Sequence, residues 1–85
     1  MNDLSCIVFY AFRYALGRMT YAVHDVATFI MLNTHLLETK DMELMIEEIT
    51  EAHEQDRLGM SCDVETWLNL QECLINTLKQ RKEEG

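Results

Sequence analysis

Residues 9–26, FYAFRYALGRMTYAVHDV, decide the fold, because they gather most of the aromatic side chains, two arginines and a glycine in one short stretch. A strand would suit CIVFYAF alone. The helical pattern, however, runs on through the following alanines and stops at Gly17, the residue that most readily takes a left-handed helix end. Turned at 100° per residue, Leu4, Val8, Ala11, Phe12 and Ala15 share one face, with Phe9 and Leu16 beside them and Ile7 on the other flank. Only a narrow strip is left to Cys6, Tyr10, Arg13 and Tyr14. The spacing predicts a helix over residues 3–16, capped by Asn2 or Asp3. A helix apolar around so much of its circumference belongs at the centre of a domain or at an interface.

Working outward, Thr20 can cap a second helix over residues 21–36, with Val23, Val26, Ala27, Ile30 and Leu37 facing inward and Phe29 and Met31 widening that face. Asn33 and Thr34 loosen its far end. Thr39 or Asp41 opens a third helix over 41–58, DMELMIEEITEAHEQDRL, closed by Gly59. Its apolar stripe is Met42, Met45, Ile46, Ile49, Ala52 and His53, and its acidic stripe is Glu43, Glu47, Glu51 and Glu54, with Glu48 and Asp56 nearby. Ser61 or Asp63 caps a fourth helix over 63–80, whose apolar set is Val64, Trp67, Leu68, Leu70, Leu74, Ile75 and Leu78. Short links make neighbouring helices antiparallel. The expectation is an all-α fold, a compact bundle of three to four helices forming one domain over residues 1–80, followed by a frayed charged tail at 81–85.

Composition agrees with a folded helical domain: of 85 residues 48% are hydrophobic and 26% charged, and proline is absent. A chain this short buries only about two thirds of its unfolded surface, so a second subunit or partner would help it. No apolar run approaches the roughly 20 residues that span a bilayer. The opening MNDLSCIVFYAF carries Asp3 where a secretory leader carries a cation. The expectation is therefore a cytoplasmic protein without membrane contact. Cys6, Cys62 and Cys73 have no paired spacing and read as small buried hydrophobes.

Charge divides the chain. Residues 1–37 are formally neutral, whereas residues 38–78 carry eleven acids against Lys40 and Arg57, within a net charge of -8. Such a balance disfavours direct nucleic-acid binding, which needs clustered Lys and Arg. A helix-turn-helix can be laid over residues 12–29, but Arg13 occupies the position where a small residue lets the helices approach, and the reading helix has His24 and Asp25 in place of cations. Metal and cofactors are not expected. His53-Glu54 lacks the second histidine of a zinc-protease helix, and Cys62 and Cys73 would lie about 16 Å apart along a helix. No nucleophile elbow, phosphate loop or Cys-His motif is present, which points away from an enzyme.

Two strips remain as candidates for binding. Glu43, Glu47 and Glu51 place carboxylates one turn apart, at about 6 Å, near the spacing of phosphates along a nucleic-acid strand. With Glu48 and Glu54 they form an acidic face, for which a solvated outer surface is the plainer reading. Tyr10, Arg13 and Tyr14 form the other strip, in residue types common at binding anchors. A structural role competes there, in which Arg13 stacks on a ring or pairs with an acid and Arg18 bonds helix-end carbonyls.

FRYALGRMTYAVHDV, followed by an acidic helix and a D-x-x-x-W helix at Asp63 to Trp67, resembles small proteins carried by bacteriophages and prophages, with the specificity residing in the YALGR-x-TY core. The resemblance implies a mobile-element accessory protein, a class that includes inhibitors of host nucleases and of CRISPR effectors. It transfers no site residues. The expected function is a non-enzymatic, anti-CRISPR-like inhibitor in a bacterial host cell, binding a host defence or nucleic-acid-handling protein through an acidic helix face set against a basic groove, as a DNA mimic. The alternative is a homodimeric structural or adaptor module associating through the aromatic first helix. A helix-turn-helix regulator ranks third.

Overall fold

The computed structural model describes residues 3–16, 22–58 and 64–84, with side chains throughout except at Asp3, Leu4 and Ala22. Four helices, α1 (Asp3–Leu16), α2 (Ala22–Leu32), α3 (Thr39–Glu54) and α4 (Val64–Glu84), form an all-α bundle, with a 3-10 turn at Thr34–Leu36 between α2 and α3. No strand occurs among the described residues. The expected contributions of Asn2, Leu4, Gly17, Arg18, Thr20, Gly59, Ser61, Cys62 and Asp63 lie outside what is described.

The helices pack in a ring, α1 beside α2, α2 beside α4, α4 beside α3 and α3 beside α1. Across the centre the diagonal helices meet through their largest side chains. Phe12 and Trp67 lie edge to face with centroids 5.6 Å apart, both almost wholly buried, in the geometry that aromatic quadrupoles favour. Val8 and Ala15 of α1, Val23, Ala27 and Ile30 of α2, Met42, Met45, Ile49 and Ala52 of α3, Leu70 and Leu74 of α4, and Leu37 and Leu58 from the segments flanking α3 complete one core. The Cα radius of gyration, 12.3 Å, is close to the ~12 Å of a compact chain this long.

Helix ends depart from the expected boundaries for local reasons. The second helix stops at Leu32, four residues short of residue 36: Asn33 Nδ2 donates to the Phe29 carbonyl at 2.7 Å, and the next amides bond three residues back, Leu36 N to Asn33 O and Leu37 N to Thr34 O. An Asn side chain that bonds its own backbone competes with helix continuation. The third helix begins at Thr39 and ends at Glu54, not at residue 58. Asp56 takes a left-handed conformation (φ 56°), while Asp56 N donates to His53 O and Arg57 N to Ala52 O. These are the two bonds of a Schellman ending, with Asp56 where a glycine was expected three residues later. The fourth helix runs to Glu84, so residues 81–84, expected as a frayed tail, are helical. Arg81 ties that end down, donating to Thr39 Oγ1 at 3.2 Å and to the Thr34 carbonyl at 3.0 Å.

Several inward assignments change. In α1 the buried face is Ser5, Val8, Phe12 and Ala15, whereas Ala11 and Ile7 are exposed. Ser5 can face inward because its hydroxyl is satisfied: it donates to the Asp41 carboxylate and accepts from Glu38 N at 3.3 Å. Phe29 of α2 and His53 of α3 are exposed rather than packed in the core. Cys6 and Cys73 are only half-buried, so neither is the fully buried hydrophobe expected.

Candidate functional site: the outer faces of α1 and α3

The two strips that looked separate in sequence lie on adjoining faces, joined along the α1–α3 seam by Arg13 and Glu48. Arg13 Nη1 stands 3.7 Å from Glu48 Oε1, and the Arg13 guanidinium lies over the Phe9 ring, 5.8 Å from its centroid. The partners differ in exposure, 62% for the Arg13 side chain and 26% for that of Glu48. Glu48 Oε2 is buried and finds no hydrogen-bond partner among the described residues. Glu48 thus belongs to the seam, apart from the open acidic face. A cation over a ring and a carboxylate at its edge hold Arg13 in place from two sides.

Arg13 separates two shallow clefts. One, with a volume of about 250 Å³, is lined by Cys6, Phe9, Tyr10 and Arg13 of α1 and by Glu38, Lys40 and Asp41 at the start of α3. The other, about 300 Å³, lies between Arg13, Leu16, Glu48, Glu51 and Arg57. Lys40, Phe9, Cys6 and Arg57 were not among the binding residues expected from sequence. Nothing in linear spacing relates Arg57 to Arg13; they line one cleft only because α1 packs on α3.

Glu43, Glu47, Glu51 and Glu54 are all exposed on α3, which carries six carboxylates against Lys40. Glu43 lines a shallow pocket together with Arg81 and Lys82 of α4, and Glu51 accepts a hydrogen bond from Gln55 Nε2 at 3.1 Å. The row itself faces outward because Met42, Met45, Ile49 and Ala52 occupy the opposite side of the helix.

On α1, Tyr10 and Tyr14 are 71% and 60% exposed, and Ile7, placed on an apolar flank by sequence, is 65% exposed. Ile7, Tyr10, Ala11 and Tyr14 therefore make an outward stripe at spacings of three, one and three. Beside it a groove of about 160 Å³ opens between α1 and α2, lined by Ile7, Val8, Ala11, Asp25, Val26, Phe29 and Ile30. Sequence alone divides these four residues, placing Ala11 on the inward face, Ile7 on a flank, and Tyr10 and Tyr14 on the narrow strip. The outward direction of the stripe was not legible, because α1 is apolar on both sides.

Among the described residues no group of three or more His, Cys, Asp or Glu side chains is placed to hold a metal ion, and no helix is long and apolar enough to cross a membrane. His24 Nδ1 lies 3.4 Å from Thr66 Oγ1, and His35 and His53 are exposed on separate elements. No family model, curated protein or solved structure matches this chain.

Proposed function

We propose that the protein is a non-enzymatic inhibitor, anti-CRISPR-like in kind, that binds a host defence or nucleic-acid-handling protein by laying the outer face of α3 into a basic groove. The observation that carries this reading is the row Glu43, Glu47 and Glu51, with Glu54 beside it, exposed on one helix that is otherwise anchored in the core. One turn of helix separates successive carboxylates of the row by about 6 Å, so a groove lined by Lys and Arg to hold phosphates meets charges at familiar intervals. Electrostatic steering then gives fast association that weakens with salt. Glu48 contributes through Arg13, holding α1 against α3.

Glu43→Gln, Glu47→Gln and Glu51→Gln combined test the proposal. The wild-type protein immobilised in a bacterial lysate should retain a nucleic-acid-handling protein that added double-stranded DNA displaces. The triple variant, checked for unchanged helicity, should lose that protein, with the wild-type complex also lost at high salt. Equal retention of the same protein by the triple variant, or indifference to DNA, rules the reading out.

A further inference from the structure

The outward stripe of α1 has the shape and charge to receive a second copy of the same chain. We infer that α1 packs antiparallel against α1 of another copy about a two-fold axis between Tyr10 and Ala11, setting Tyr10 over the partner's Ala11 and Tyr14 against the partner's Ile7. The inference stands apart from the acidic-face reading, since the two use different faces.

Three observations converge on this occupant. The first is register. In an antiparallel pair centred between residues 10 and 11, Tyr10 meets Ala11 and Tyr14 meets Ile7, so each large ring faces a smaller side chain. Each contact is made twice, as a two-fold interface requires. The groove beside Ile7 and Ala11 supplies a recess for the incoming Tyr14 ring: it measures about 160 Å³ and its lining is apolar apart from Asp25, and an apolar space of about 150 Å³ accommodates a benzene ring.

The second is area. Ile7, Tyr10, Tyr14 and Phe29 are 65%, 71%, 60% and 48% exposed. At ~150–250 Å² for a large side chain, they present roughly 500 Å², more than half of the ~800 Å² that each partner contributes to a standard interface. The third is charge. The chain carries -8, yet α1 has only Asp3 and Arg13 and is formally neutral. A second copy can approach this face without bringing acidic rows together, whereas contact through α3 would oppose six carboxylates to six.

The test is sedimentation equilibrium at micromolar concentration with three preparations: wild type, Ile7→Glu, and Tyr14→Lys. Both positions are exposed, so helicity should be retained. Wild type is expected at twice the 10.0 kDa chain mass, and each variant should associate at least about tenfold more weakly, as for loss of an interface anchor. An equimolar mixture of the two variants should recover the dimer, because the antiparallel register pairs the new Glu with the new Lys once per heterodimer. Should either variant lose helicity, Ile7→Gln and Tyr14→Gln serve for the single-variant comparison. A monomeric wild type, a dimer indifferent to both substitutions, or a mixture that stays monomeric would overturn the inference.

Discussion

The Ser5 hydroxyl stands between the Asp41 carboxylate and the Glu38 amide, donating to the first and accepting from the second at 3.3 Å. Glu38 is the N-cap of α3 and makes no cap with its own side chain, and Asp41 is the third helical residue. In an ordinary capping box the third residue reaches the cap amide directly. Here a serine from α1, thirty-odd residues away in sequence, is inserted between them, so the start of α3 is completed only when α1 docks.

Ser5→Ala should therefore destabilise the protein by about 1 kcal/mol, the net worth of the half-buried hydrogen bonds it removes. Urea unfolding followed by circular dichroism measures it. Asp41→Asn should cost less, since an amide oxygen still accepts from the hydroxyl. Equal losses for both variants would mean that the hydrogen bond depends on the charge of Asp41.

Phe12→Ala should cost about 3–5 kcal/mol by opening a cavity against Trp67, a large share of the roughly 4–13 kcal/mol expected for a domain of this length. Trp67 is the one tryptophan in the chain, so its fluorescence should shift to the red as the site hydrates. An unshifted emission maximum in folded Phe12→Ala would show that the core closes around the gap.

Asp56 adopts a φ of 56° at the end of α3, where a side chain crowds the backbone. Asp56→Gly should raise stability by about 0.5–1 kcal/mol, because glycine takes this conformation without the steric cost. Thermal melts of the two proteins side by side settle the sign.

For Arg13 and Glu48, a double-mutant cycle with Arg13→Ala and Glu48→Ala should give a coupling of about 0.2–1 kcal/mol that declines in high salt, since the arginine is mostly exposed. Their role is positional, so both single variants should unfold at only slightly lower urea. A salt-insensitive coupling well above that range would place the pair in a drier setting than its exposure indicates.

Arg81→Ala should loosen the junction between α2 and α3, where the guanidinium holds the Thr34 carbonyl and Thr39 Oγ1. Hydrogen exchange should speed up at Leu36 and Leu37, whose amides close the 3-10 turn, while the amides of Leu70 and Leu74 in the middle of α4 stay protected.

The sequence by itself determined the all-α class, the four helices and much of the core, because periodic apolar residues at Val23, Ala27 and Ile30, or Met42, Met45, Ile49 and Ala52, have one face to bury. It also distinguished an acidic α3 from a neutral, aromatic α1. Only tertiary structure decided which side of α1 faces inward. Hydrophobicity favoured Ile7 and Ala11 over Ser5, yet Ser5 is buried and Ile7 exposed, since the start of α3 supplies partners for the hydroxyl that local sequence does not reveal. The same packing moved Glu48 from the acidic face to Arg13 and replaced an expected glycine ending with Asp56. Periodicity tells which residues share a face. Which of two apolar faces is covered depends on what the neighbouring helices bring to it.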